Sequence, residues 1–122
     1  MNTAIVLLGS NVDADQNIDA AKDRLSEFFE IDLCSSRIES EAIGENYVTP
    51  FLNEAVKLYS DETSEETIAI FKQIEVELGR TPESKKKGIV PIDIDLIFWN
   101  DNLMRNDYHR FPFVKKCVDE IR

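Results

Sequence analysis

Two aspartates one residue apart, Asp93 and Asp95, carry the most chemical promise in the sequence. They lie in residues 92–99, where Ile92, Ile94, Leu96 and Phe98 alternate with Asp93, Asp95, Ile97 and Trp99. Alternation with period two predicts a β-strand. Residues two apart on a strand point the same way, roughly 6.5–7 Å apart. Two carboxylates so placed can share one or two hard cations. Magnesium prefers oxygen ligands and leaves positions for substrate phosphates, which it polarises for attack. The alternative is a solvated strand face. Against that alternative, Ile97 and Trp99 follow on the same side, and Asp is depleted in strands.

The segment before this strand, Lys85-Lys86-Lys87-Gly88, supplies positive charge beside the aspartates, with a glycine that lets the backbone bend. Next to a carboxylate pair the lysines suit phosphate neutralisation. Alone they read as a solvated charged loop.

The elements that must position these groups follow from the rest of the chain. Residues 4–8 form a continuous apolar run, a strand covered on both faces or near its end. Gly9-Ser10-Asn11 stops it, and Asp13 or Asp15 can cap a helix carrying Ile18, Ala21, Leu25, Phe28 and Phe29. Residues 31–39 make a further strand, and 44–50 have loop composition. In residues 51–59, Leu52, Val56 and Leu58 fall on one face, with Glu54 an exception among them. Phe51, Asn53, Ala55, Lys57 and Tyr59 fall on the other. Thr63-Ser64-Glu65-Glu66 is a capping-box pattern, opening a helix with Ile70, Phe71, Ile74 and Leu78. Gly79 and Pro82 end it. Residues 81–90 read as a polar, basic loop, 100–102 as a turn, and 113–121 as a short final helix. The order βαββαβ plus a tail predicts an α+β, ferredoxin-like domain, an antiparallel sheet with helices packed on one face.

Bulk properties narrow the partners. The chain has 122 residues, a hydrophobic fraction of 43% and a formal net charge of −10. The length suits one domain. The acidic balance disfavours nucleic acid and anionic membranes. No apolar run is long enough for a membrane span or a signal-peptide core, so the expected location is cytoplasmic. Cys34 and Cys117 have no metal-ligand spacing and are expected to be buried thiols. Basic residues recur at Arg105, Arg110, Lys115 and Lys116.

Four segments in order resemble the 6-hydroxymethyl-7,8-dihydropterin pyrophosphokinase family. They are Leu8-Gly9-Ser10-Asn11, Phe51-Leu52-Asn53-Glu54-Ala55-Val56, Ile74-Glu75-Val76-Glu77-Leu78-Gly79-Arg80, and Ile92-Asp93-Ile94-Asp95-Leu96-Ile97-Phe98. The resemblance implies a single pyrophosphokinase-like domain over 1–122, expected to be a monomer. It implies transfer of pyrophosphate from ATP to hydroxymethyldihydropterin in folate biosynthesis, leaving AMP. Asp93 and Asp95 would hold two Mg2+ ions and act in catalysis with Arg80 and Lys87. Asn53 would hydrogen-bond the pterin, with groups near Ser40 and Ile43 completing recognition of its edge. Phe51 would stack on one pterin face and Phe113, with Phe111 as its rival, on the other. Glu75, Arg80, Lys85, Lys86, Lys87 and Arg110 would line the nucleotide side.

The chain departs from the family ahead of the Asp-x-Asp strand. Lys87-Gly88-Ile89-Val90 stands where the family carries Trp-Gly-Pro-Arg, and the later Pro-His segment is absent. Lysine copies a bidentate arginine clamp poorly. The favoured reading is a short, divergent enzyme that binds ATP with Lys85, Lys86, Lys87, Arg105 and Arg110. His109 is a possible substitute for the missing histidine. The alternatives are a homologue that binds pterin or nucleotide but has lost turnover, and a ferredoxin-like interaction module. The loops 44–50 and 81–90 are expected to move during a catalytic cycle.

Overall fold

The computed structural model describes residues 1–42 and 49–122. Its elements are β1 (Asn2–Ser10), α1 (Ala14–Phe28), β2 (Glu30–Cys34), β3 (Ile38–Ser40), β4 (Phe51–Ser60) and α2 (Ser64–Glu77). They continue as α3 (Pro82–Lys86), β5 (Asp93–Trp99), β6 (Asn102–Leu103), α4 (Asp107–Arg110) and α5 (Pro112–Ile121). The fold is mixed α and β around an open sheet of order β2-β4-β1-β5-β6, with β3 also on β4. All neighbours are antiparallel.

Local chemistry explains most boundaries. Thr63 closes the capping box at the start of α2: its hydroxyl accepts from Glu66 N at 3.1 Å, and its own N–H donates to Glu66 Oε1 at 3.2 Å. Gly79, at φ 105°, turns the chain out of the helix. At α1 the expected cap is only positional. Asp13 occupies the N-cap in a left-handed conformation (φ 42°) and makes no side-chain cap bond. The expected strand over 31–39 is two strands. The interruption falls at Ser35, whose N–H donates to Ala55 O at 2.9 Å while its hydroxyl accepts from Ala55 N at 2.8 Å. A side chain thus replaces one rung of the ladder. Residues 81–90 contain a short helix rather than loop alone, because Thr81 caps it and Pro82 suits its first position.

The helices do not all lie on one face, as the sequence pattern had implied. On one side α1 and α2 cover Ala4, Val6, Leu8, Val56 and Leu58. On the other, Val114, Cys117, Val118 and Ile121 of α5 and Tyr108 of α4 cover Ile5, Leu7, Ala55, Ile97 and Phe98. The central strand β1 is apolar on both faces, so both need cover. The amphipathic tail supplies the second layer.

The alternation on β5 also breaks. Ile5 pairs with Phe98 and Val6 with Leu96, leaving Ile97 as an extra residue in a β-bulge. Ile97 and Phe98 therefore both enter the second core, and Trp99 packs against the first. The bulge lies beyond the aspartates and leaves their common direction intact. Cys117 is buried, but Cys34 is exposed on the edge strand β2; both are free thiols. Among the described residues no helix is long and apolar enough to cross a membrane.

Candidate active site

Three central strands bring the expected residues together. Gly9 on β1 pairs with Asn53 on β4 and with Asp93 on β5, and Leu7 pairs with Ala55 and with Asp95. Side chains of directly paired residues share a sheet face. Asn53, Asp93 and Asp95 thus lie on the face that α5 covers, past the end where α5 begins. There a cavity of about 200 Å³ opens. Its wall includes Ser40, Phe51, Asn53, Arg80, Asp93, Asp95, Arg105, Phe111 and Phe113.

One end of this cavity is shaped for a flat polar ring. Asn53 is 4% exposed. Its Nδ2 donates to Ile38 O and to Ser40 Oγ, both at 2.9 Å. Both amide hydrogens are then committed to β3, and Oδ1 is left as an acceptor toward the cavity. Gly9 keeps that floor open: a Cβ there would lie 3.4 Å from Asn53 Oδ1 and 3.8 Å from a Phe51 ring carbon. Phe111 and Phe113 stack on each other with centroids 5.8 Å apart and planes 29° apart. Phe113 and its rival Phe111 both reach the wall. Ile43 lies outside the described residues, as does most of the 44–50 loop.

The other end holds the carboxylates. Arg80 Nη1 donates to Asp93 Oδ1 at 2.7 Å and lies 3.2 Å from Glu75 Oε2. Arg105 Nη1 lies 3.6 Å from Asp95 Oδ1, and its Nη2 donates to Asp107 at 3.3 Å. Burial raises the Asp93 carboxyl, but hydrogen bonds from Asp95 and Arg80 outweigh it and hold the group below the usual carboxylate range. Burial and the Asp93 charge push Asp95 up to about 8. At neutral pH the compensation that Arg80 and Arg105 provide leaves Asp95 holding a proton beside the ionised Asp93.

That deficit is the test of fit for a cation. Two neighbouring hard-oxygen donors, under-neutralised and open to a cavity, suit Mg2+ when phosphates and water complete its shell. Among the described residues no cluster of three or more His, Cys, Asp or Glu could form an all-protein cage. A magnesium held chiefly by substrate is the matching case. A second cleft of about 200 Å³ adjoins across Asp95 and Arg105, lined also by Ile68, Lys72, Ile94, Leu96 and Met104.

Several expected site residues lie elsewhere. Glu75 is 3% exposed and stands behind the wall. Its Oε2 accepts from Ile94 N at 2.8 Å, and its carboxyl is raised by burial against that bond and the Arg80 charge. It ties the end of α2 to β5. Lys85, Lys86 and Lys87 are exposed on or just after α3 and reach neither cavity. The short helix nucleated at Thr81-Pro82 projects them into solvent. Arg110 is exposed and stacks 4.9 Å over the Phe111 ring, outside the wall. His109 is likewise exposed, against Tyr108. Of the cations expected to bind ATP, Arg80 and Arg105 are the ones in the cavity wall beside the carboxylates. Lys72 went unnoticed in the sequence; its one signal was its i, i+3 spacing to Glu75, whose Oε1 it meets at 3.3 Å. Asn11, from the Gly-Ser-Asn segment, stitches the stretch before β5: its Nδ2 donates to Gly88 O at 2.8 Å and its Oδ1 accepts from Val90 N at 2.7 Å.

The sequence of the chain matches those of known proteins. Residues 5–122 match the sequence profile of 7,8-dihydro-6-hydroxymethylpterin-pyrophosphokinase. A relative from Aquifex aeolicus (strain VF5), a 2-amino-4-hydroxy-6-hydroxymethyldihydropteridine pyrophosphokinase, is 35% identical over 113 residues, covering 92% of this chain and 70% of the relative. The chain belongs to the 7,8-dihydro-6-hydroxymethylpterin-pyrophosphokinase family.

Proposed function

We propose that this protein transfers pyrophosphate from ATP to 6-hydroxymethyl-7,8-dihydropterin, in folate biosynthesis, as a magnesium-dependent enzyme. The observation that carries the reading is one cavity holding Asn53, Phe51 and the Asp93–Asp95 pair, with Arg80 and Arg105 at the carboxylates. Asn53 Oδ1 takes a donor from the pterin edge, and Phe51 and Phe113 hold the ring faces. The hydroxymethyl oxygen is then aimed across the cavity toward the aspartates. Its oxygen forms a bond to the β-phosphorus while the bond from that phosphorus to the α–β bridging oxygen breaks. AMP leaves and the hydroxyl proton passes to solvent.

Catalysis in such a transfer is mainly positioning and charge neutralisation. Asp93 and Asp95 would hold magnesium, which supplies Lewis-acid polarisation of the phosphate chain. Arg80 and Arg105 carry fixed positive charge to either side of the pair. Lys72 and the second cleft favour placing the nucleoside end there, with Lys85, Lys86 and Lys87 adding only long-range attraction. The antiparallel order β2-β4-β1-β5 supports a ferredoxin-like assignment for the sheet, widened by β6 and covered by α5.

Titration calorimetry with hydroxymethyldihydropterin and a non-hydrolysable ATP analogue, with and without magnesium, followed by an AMP-release assay, tests the proposal. Magnesium-dependent binding of the nucleotide and turnover are expected. Pterin binding without nucleotide binding would refute the enzyme and leave a pterin-binding homologue.

A further inference from the structure

The strand β4 carries a second set of charges immediately beside the site, on the opposite face. Glu54 follows Asn53 and is 2% exposed. Its Oε1 accepts from Arg37 Nε at 2.6 Å, and Lys22 Nζ lies 2.7 Å from its Oε2. The remaining donors of Arg37 reach α1: Nη1 donates to Asp15 Oδ1 at 2.7 Å, and Nη2 bonds Asp19. Arg37 is the residue just before β3, and β3 is three residues long. A strand that short, at a sheet edge, is held weakly by its own ladder. Arg37 spans it to both β4 and α1 with the rigid fork that makes arginine suited to such clamps.

What β3 does for the site is specific. Its register places Ile38 opposite Asn53 and Ser40 opposite Phe51. Ile38 O and Ser40 Oγ are the two acceptors that take both Asn53 amide hydrogens. If β3 slid or lifted, the amide would be free to rotate and offer the cavity a donor in place of an acceptor. We propose that Arg37, clamped between Glu54 and the acidic face of α1, is a positioning residue for pterin recognition: it fixes β3, and β3 fixes the Asn53 amide with Oδ1 toward the substrate. This rests on the function proposed above. Arg37 and Glu54 touch neither cavity, so their effect is confined to the substrate that Asn53 reads.

The test compares Arg37→Leu and the double variant Arg37→Leu/Glu54→Leu with the wild-type protein. Replacing a buried ion pair by apolar groups is often neutral for folding, so the double variant carries the test should the single one not fold. Both are expected to raise the KM for hydroxymethyldihydropterin about tenfold, the scale of one hydrogen bond. The KM for ATP and kcat should stay within about twofold of wild type, below the effect of losing one hydrogen bond. Amide exchange at residues 38–40 should quicken. A folded double variant with wild-type pterin KM overturns the proposal, as does an equal rise in both KM values. A wild-type chain that binds no pterin defeats the functional reading first, and this proposal with it. A wild-type chain that turns over, beside a double variant with unchanged pterin KM, defeats the proposal alone.

Discussion

Two groups of acids sit on the central strands, on opposite faces of the sheet, and they are compensated differently. Glu54 meets Arg37 at 2.6 Å and Lys22 at 2.7 Å, and Arg37 reaches two further carboxylates on α1. Asp93 meets one arginine at 2.7 Å, and Asp95 a guanidinium at the longer distance of 3.6 Å. A buried acid whose charge is answered within the fold behaves as a structural joint. A pair whose charge is only partly answered, and which opens to a cavity, is a candidate cation site. The same residue class on the same sheet thus separates into architecture and chemistry by the arithmetic of partners.

The sharpest way to break this comparison is to neutralise the partly answered acid. Asp95→Asn should lower turnover by at least ~10³-fold, with loss of magnesium-dependent nucleotide binding. An AMP-release assay reads the first and calorimetry the second; near-normal turnover would move the metal role elsewhere. Arg80→Met should cost about 10²-fold in kcat, as removal of one preorganised charge partner typically does. Single-turnover kinetics separates that from a binding defect, and an effect on KM alone would make Arg80 a ground-state contact.

Stability should change with opposite sign at the two sites. Arg37→Met leaves Glu54 buried with Lys22 alone and should cost about 3 kcal/mol in denaturant unfolding. Asp95→Asn removes a like-charge repulsion and should stabilise the metal-free protein near pH 8. Equal signs would erase the distinction drawn here. The pH dependence sharpens it. The folded Asp95 carboxyl is raised from 3.8 to about 8 in the metal-free protein. Between those values the folded chain holds a proton that the unfolded chain releases. The resulting stability is fully present below the lower value and fades as pH rises through the upper one. Thermal melts from pH 5 to 9 should fall for the metal-free wild type and flatten with Asp95→Asn. Identical profiles for the two proteins would assign the slope to other groups. The smallest effect belongs to the exposed lysines. Changing Lys85, Lys86 and Lys87 together to Ala should raise the KM for ATP less than about threefold and vanish at high salt. A large fall in kcat would bring α3 into the catalytic machinery.

The sequence on its own determined the strand pair that matters. Period-two alternation put Asp93 with Asp95 and Phe51 with Asn53, and the structure keeps both pairs on one face because strand geometry is local. The capping box at Thr63 and the stop at Gly79 were equally legible, since each depends on residues within a turn of one another. What reached across the fold was not. The bulge at Ile97 depends on the register of β1, and the interruption at Ser35 on a partner in β4. The second helical layer depends on where the tail returns. Above all, charge alone could not say which cations serve the site. Lys85, Lys86 and Lys87 are near Asp93 in sequence and turned away by α3, whereas Arg80 meets Asp93 and Arg105 lies near Asp95, from opposite sides in sequence. Glu54 stood out in the pattern as an exception, but its meaning required Arg37, just before β3, and Lys22 of α1. Local periodicity decides which way a side chain points; only tertiary packing decides what it meets, and for a buried carboxylate that is the difference between a joint in the fold and a candidate metal site.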